Sequence, residues 1–119
     1  MDDDQMSQLM VGSWQASGQE QMPSGIARYT VNCTYTEDGQ FDGSWAWVFP
    51  PTPGQATSSF VRVAGAWKIE SGNLFTHVEQ VDPPNFASLF SDGSKAIQFI
   101  DRNTWKFVDG SVSVAHRLR

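Results

Sequence analysis

The stretch that decides the fold is IARYTVNCTYTEDGQFDGSWAWVF, residues 26–49. Its first half alternates. Ala27, Tyr29, Val31, Cys33 and Tyr35 share one face, and Arg28, Thr30, Asn32 and Thr34 share the other. A period of two is the mark of a half-buried antiparallel strand. Glu37-Asp38-Gly39-Gln40 then supplies a hairpin turn with Asp-Gly at its centre. The second half alternates again, with Phe41, Trp45, Trp47 and Phe49 on one face and Asp42, Ser44, Ala46 and Val48 on the other. Two aromatic-faced strands joined by a tight turn have no helical reading.

The same punctuation runs outward in both directions. Residues 13–20 form a first strand, bounded by Pro23-Ser24-Gly25. Pro50-Pro51-Thr52-Pro53-Gly54 ends the third strand, because proline cannot donate to a ladder, and reads as a loop. Residues 58–70 form a strand with a bend or bulge near Gly65, and Val61, Val63, Trp67 and Ile69 share parity. Strands follow at 74–81, 95–100, 104–108 and 111–118, with a longer loop through 82–94. Which faces of the fifth and sixth strands turn inward stays open, since both carry apolar residues. Eight consecutive strands with short links predict an all-β, antiparallel up-and-down barrel, because closure removes exposed edges. Met6, Leu9 and Met10 have helical spacing, so residues 5–10 are expected to form a short helical cap, after a mobile end at 1–4. The whole of 1–119 reads as a single domain.

Composition narrows the function classes. The chain carries 13 acidic and 8 basic residues, a net charge of −5, which excludes a broad basic surface for nucleic acid. One cysteine, Cys33, excludes an intramolecular disulfide and any metal site of two or more thiolates. No apolar run is long enough for a transmembrane helix. The first residues, MDDDQMSQLMVG, do not read as a signal peptide. Two localisations are therefore expected: cytoplasmic if Met1 is native, periplasmic or secreted if a signal peptide has been removed. Aromatic residues make up 13% of the chain, with five Trp, eight Phe and two Tyr, so they carry much of its apolar volume.

Gly12-Ser13-Trp14 resembles the Gly-x-Trp signature of the calycin superfamily, which includes lipocalins, avidins and fatty-acid-binding proteins. A longer series carries the resemblance across nearly the whole chain. It runs through Tyr35, Asp38, Gly39, Phe41 and Gly43, then Gly65, Trp67, Lys68, Ile69 and Leu74, and ends at Asp109, Gly110 and Arg117. This order is similar to small bacterial lipocalin-like domains. The resemblance implies a calycin-like barrel in which Trp14 closes one end. It also implies an arginine of the last strand, Arg117 or alternatively Arg119, packed across that indole. A guanidinium over an indole face is a favourable cation–π contact. Function is not implied at the same level, since such barrels bind many things and a few catalyse reactions.

The expected function is binding of a small, largely apolar or aromatic molecule in the barrel interior. Tyr29, Tyr35, Phe41, Trp45, Trp47, Trp67 and Phe86 are the ligand-binding candidates. The competing reading is that these rings simply fill the barrel. A second hypothesis is a barrel enzyme that cyclises or hydrolyses a polyketide-like or other hydrophobic substrate. Its catalytic candidates are Tyr29, His77, Glu79 and His116, because an inward histidine beside an inward carboxylate can move a proton near neutral pH. A third is a protein-binding or inhibitor module using the loops at 50–57 and 82–94, where Phe86, Leu89 and Phe90 form a lid or contact a partner. Cys33 is expected to be a buried, inert thiol. No cofactor, metal site or nucleic-acid partner is expected, and a homodimer is left open.

Overall fold

The computed structural model describes residues 1–51, 53–54, 57–110 and 114–118. Helix α1 (Asp3–Met10) is followed by β1 (Gly12–Met22), β2 (Gly25–Tyr35), β3 (Gln40–Val48), β4 (Ser58–Glu70) and β5 (Asn73–Asp82). A 3-10 helix (Pro84–Leu89) leads into β6 (Gly93–Asp101), β7 (Thr104–Phe107) and β8 (Ala115–Arg117). The eight strands pair in chain order, every pair antiparallel, and β8 returns to β1 to close the barrel. The up-and-down barrel read from residues 26–49 is the observed fold.

The turns explain the register. At the β2–β3 turn the Thr36 amide donates to the Gln40 carbonyl at 2.9 Å, which sets Tyr35 opposite Phe41. From across the barrel wall, the Trp67 amide donates to the Gly39 carbonyl at 2.9 Å, and the Trp67 indole donates to the Thr36 carbonyl at 3.0 Å. Between β4 and β5 the register shifts, with Gly65 opposite Val78 and Ala64 opposite Gln80. Glu79 is thus the extra residue of a β-bulge. A Cβ on residue 65 would sit 1.9 Å from the His77 carbonyl oxygen, so only glycine admits this approach.

The bulge also answers which face of β5 is inner. Leu74 and Val78 pack into the core on one side of it, and Val81 on the other. Simple alternation placed His77 and Glu79 with Phe75 and Val81; the extra residue breaks that parity, and both His77 and Glu79 are exposed. On β6, Ile97 and Phe99 turn inward.

The helix starts at Asp3, two residues before the expected position, because Asp2 caps it. The Asp2 carboxylate accepts from the Gln5 amide at 2.8 Å, and the Gln5 side chain accepts from the Asp2 amide at 3.0 Å. The Asp3 carboxylate then accepts from the amides of Ser71 and Gly72 at 2.7 and 2.9 Å, tying the helix to the β4–β5 turn. These bonds hold Asp2 and Asp3 in the segment that was expected to be a mobile end. Met6 and Met10 are buried against the barrel, which makes α1 a cap. Two other boundaries differ from expectation. The loop after β5 contains the 3-10 helix, and among the described residues β8 runs over Ala115–Arg117. Residues 111–113, expected to begin the eighth strand, lie outside the described residues, as do Arg119 and residues 52, 55 and 56 of the loop 50–57. Among the described residues no helix is long and apolar enough to cross a membrane.

Candidate functional site

The capped end of the barrel is solid. Trp14 is 2% exposed, and its indole N–H donates to the Met10 carbonyl at 2.8 Å. The Arg117 guanidinium lies 4.3 Å from the Trp14 ring. The same guanidinium donates to the carbonyls of Leu9 at 2.6 Å, Val11 at 3.0 Å and Arg102 at 2.9 Å. One cation therefore covers an indole face and satisfies the carbonyls where the helix ends. The Trp14–Arg117 packing implied by the resemblance is present. Tyr35, Phe41 and Trp67 pack together nearby, with ring centroids 6.3 Å apart for Tyr35–Phe41 and 5.5 Å for Tyr35–Trp67.

Beyond that floor the barrel is hollow. A cavity of about 220 Å³ lies between β1, β2, β3, β7 and β8. Trp14 and Trp105 meet edge-to-face at 6.2 Å, and Phe107 stands against Trp105 at 5.2 Å; all three line it. Tyr29, Val31, Trp45 and Trp47 line the opposite wall. Inward strand parity carries the lining of β1 from Trp14 through Ala16 to Glu20, which is exposed to solvent. Six residues at a strand rise of about 3.3 Å place Glu20 roughly 20 Å from Trp14, at the mouth. Gly18 lies on this wall because Tyr29 folds over it; a Cβ there would fall 2.3 Å from the Tyr29 hydroxyl.

Among the described residues, the lining inside the Glu20 mouth carries no charged side chain. Burial pushes the Cys33 thiol up to about 12, which outweighs its hydrogen bond from Tyr35. Burial likewise holds the Tyr35 hydroxyl well above its usual range, with the neighbouring Cys33 adding to the effect. Both are neutral at physiological pH, so Cys33 is not an activated nucleophile. One polar atom stands out. The Trp105 indole N–H is buried and has no hydrogen-bond partner among the described residues.

A second apolar cleft, about 470 Å³, adjoins the mouth and shares Glu20, Trp45 and Trp47 with the cavity. Phe86, Leu89 and Phe90 form its other side, and Phe90 meets Trp45 edge-to-face at 5.0 Å. The loop carrying these rings is tied down by Asp92. Its carboxylate pairs with His77 Nδ1 at 2.8 Å and accepts from the Val78 amide at 2.7 Å.

The expected ligand residues therefore divide. Tyr29, Tyr35, Trp45 and Trp47 come together on the cavity wall. Phe41 and Trp67 are packed at the closed end and do not line it, because Trp67 is spent on clamping the β2–β3 turn. Phe86 lines the adjoining cleft. Of the acid–base candidates, only Tyr29 reaches the cavity. His77 is held outside by Asp92, Glu79 is the bulged residue, and His116 faces solvent while its neighbour Ala115 turns inward. Trp105, Phe107 and Ala115 were not singled out. Their signal was present, since Thr104-Trp105-Lys106-Phe107 alternates like the strands at 26–49. Among the described residues no group of three or more His, Cys, Asp or Glu is placed to hold a metal ion. No protein-family model matches the chain and no curated protein matches it, so a functional reading rests on the geometry of the cavity.

Proposed function

We propose that this barrel binds one small, largely apolar or aromatic molecule in the cavity between Trp14, Trp105, Tyr29, Trp45 and Trp47. The supporting observation is the cavity itself: about 220 Å³ walled mainly by rings, with a solvent-facing mouth at Glu20. An apolar cavity of about 150 Å³ is enough to hold benzene in an engineered protein, so this one suits a substituted single ring and not a long acyl chain. The closed eight-strand architecture and the Trp14–Arg117 packing also support kinship with lipocalin-like barrels, for which interior binding is a common use.

Burying about 200 Å² of a single-ring ligand at about 25 cal/mol per Å² gives roughly 5 kcal/mol, a Kd on the order of 0.1–1 mM. Natural ligands with matched polar groups would bind more tightly. Titration with ethylbenzene, followed by tryptophan emission, tests the reading. A saturable change is expected, and Ala16→Phe, which fills the cavity from β1, is expected to abolish it. No saturable response in the wild-type protein would overturn the proposal.

The acid–base enzyme hypothesis loses its proposed pair, since His77, Glu79 and His116 all lie outside the cavity. A protein-binding role for the loops has one point in its favour, the 67% exposed Leu89, but the hollow barrel favours the small-molecule reading.

A further inference from the structure

The cavity and the cleft beside it share three side chains, Glu20, Trp45 and Trp47. Among the described residues Glu20 is the only charged side chain lining either one. The register fixes its height in the barrel. Gly18 stands opposite Tyr29, and Tyr29 stands opposite Trp47, so these three form one row of the wall. Glu20 is the next inward position of β1, about 7 Å beyond that row toward the open end.

No basic side chain answers this carboxylate. Among the described residues no ion pair involves Glu20. The one cation on β1 and β2, Arg28, stands opposite Gln19 on the outer face. The rings beside Glu20 act in the same sense as its charge. An aromatic face carries negative potential, and indole attracts a cation more strongly than the other rings do. The mouth is therefore electronegative, while the hollow behind it is apolar.

We infer that the site takes an aromatic amine, with its ring in the cavity beside Tyr29, Trp45 and Trp47 and its ammonium at the mouth against Glu20 and the indoles. This deepens the proposed binding function and rests on it. A short alkyl arm spans the step from the Tyr29–Trp47 row to Glu20. Because Glu20 is exposed, an ammonium held there keeps part of its water shell and escapes the cost of entering the barrel interior. A neutral ligand of the same shape fits the same walls and gains nothing from Glu20, and an anion is repelled at the entrance.

Three probes that share one aryl-alkyl frame separate these statements: propylbenzene, phenethylamine and hydrocinnamate, which are neutral, cationic and anionic near pH 7. Binding is read by tryptophan emission and by calorimetry. At low salt phenethylamine is expected to bind the wild type about tenfold more tightly than hydrocinnamate, and the margin to narrow as salt rises. Glu20→Gln, at an exposed position that leaves the core intact, is expected to cut the margin to about threefold or less and to leave propylbenzene binding unchanged. Glu37→Gln removes the same charge from the exposed β2–β3 turn at the closed end and is expected to keep the full margin, which separates the mouth from the net negative charge of the protein. Phenethylamine binding no more tightly than hydrocinnamate overturns this inference. A margin that survives Glu20→Gln, or that Glu37→Gln erodes equally, does the same. In each of these cases propylbenzene binding leaves the cavity as an apolar site. Failure of both propylbenzene and phenethylamine to bind overturns the binding function itself, and this inference with it.

Discussion

Gly65→Ala is the most exacting test of the barrel's construction. The added methyl would lie 1.9 Å from the His77 carbonyl oxygen, whereas Cβ contacts under 3.0 Å are essentially never seen. Backbone must therefore recede by about an ångström, and the obstacle is another backbone, not the end of a flexible side chain. The retreat pulls apart the Ala66–His77 and Gly65–Val78 pairs on either side of the contact. Losing one or two buried ladder bonds at about 1–3 kcal/mol each gives an expected cost of roughly 2–5 kcal/mol. That is a large share of the 5–15 kcal/mol typical of a small protein. With a urea slope of about 1–1.5 kcal/mol/M, the unfolding midpoint is expected to fall by roughly 1.3–5 M. Gly93→Ala is the control. It lies at the start of another strand, where the nearest atom to a new Cβ is 3.9 Å away. Its midpoint is expected to stay within about 0.5 M of wild type. Equal midpoints for the two variants would refute the claim that the bulge needs glycine at 65.

Arg117→Met removes the cation over Trp14 and leaves three carbonyls short of a donor; an expected loss of about 2–4 kcal/mol is checked by thermal denaturation, with faster amide exchange in α1. Arg117→Lys is expected to recover less than half, since one ammonium does not span all three carbonyls. The His77–Asp92 tie is pH-dependent. Its hydrogen bond and charge attraction to Asp92 raise His77 above 6.5, so that contribution is present below 6.5 and is lost as pH rises through the folded value. Hydrogen bonds from His77 and the Val78 amide lower Asp92 below 3.8, so its contribution is present above 3.8 and is lost as pH falls through the folded value. Because Phe90 of the tethered loop touches Trp45, tryptophan emission is expected to report loosening on both sides of this window, and His77→Gln to remove the upper transition. Cys33, raised from 9.0 to about 12, holds about a thousandfold less thiolate than an ordinary cysteine at pH 8. Iodoacetamide is expected to alkylate it slowly in the native state and rapidly in urea.

Much of the fold was legible because the decisive signals were local. Alternation over residues 26–49 gave two strands, and turn residues gave most of the others. Gly65 marked the bulge, but which strand carried the extra residue depended on cross-strand geometry that no single strand encodes. That is why the inward face of the fifth strand, and with it the position of His77 and Glu79, stayed open in the sequence. The site was legible in part for a related reason. Parity correctly grouped Tyr29, Tyr35, Trp45 and Trp47 on inner faces. It could not separate a ring that lines a hollow from one that fills a floor, because Phe41 and Trp67 have the same inward parity. Depth along the barrel axis makes that difference, and depth is set by strand stagger and the helical cap. Trp105 was passed over although the alternation of residues 104–107 carried its inward parity; its unpartnered indole N–H is a feature that only the assembled core reveals.

The Arg117 bond to the Leu9 carbonyl joins positions 108 apart in the chain. Most of the barrel can be assembled from neighbouring hairpins, each closed by a short loop. The seal over Trp14 cannot. During synthesis, α1 and β1 emerge first and must wait, with the Trp14 indole uncovered, until residue 117 has cleared the ribosome. Fixing the helical cap therefore depends on the end of the chain as well as on its start. A nascent or truncated chain lacking that arginine has seven strands' worth of local order and an unlatched end, which is the form most exposed to proteases and to other sticky chains.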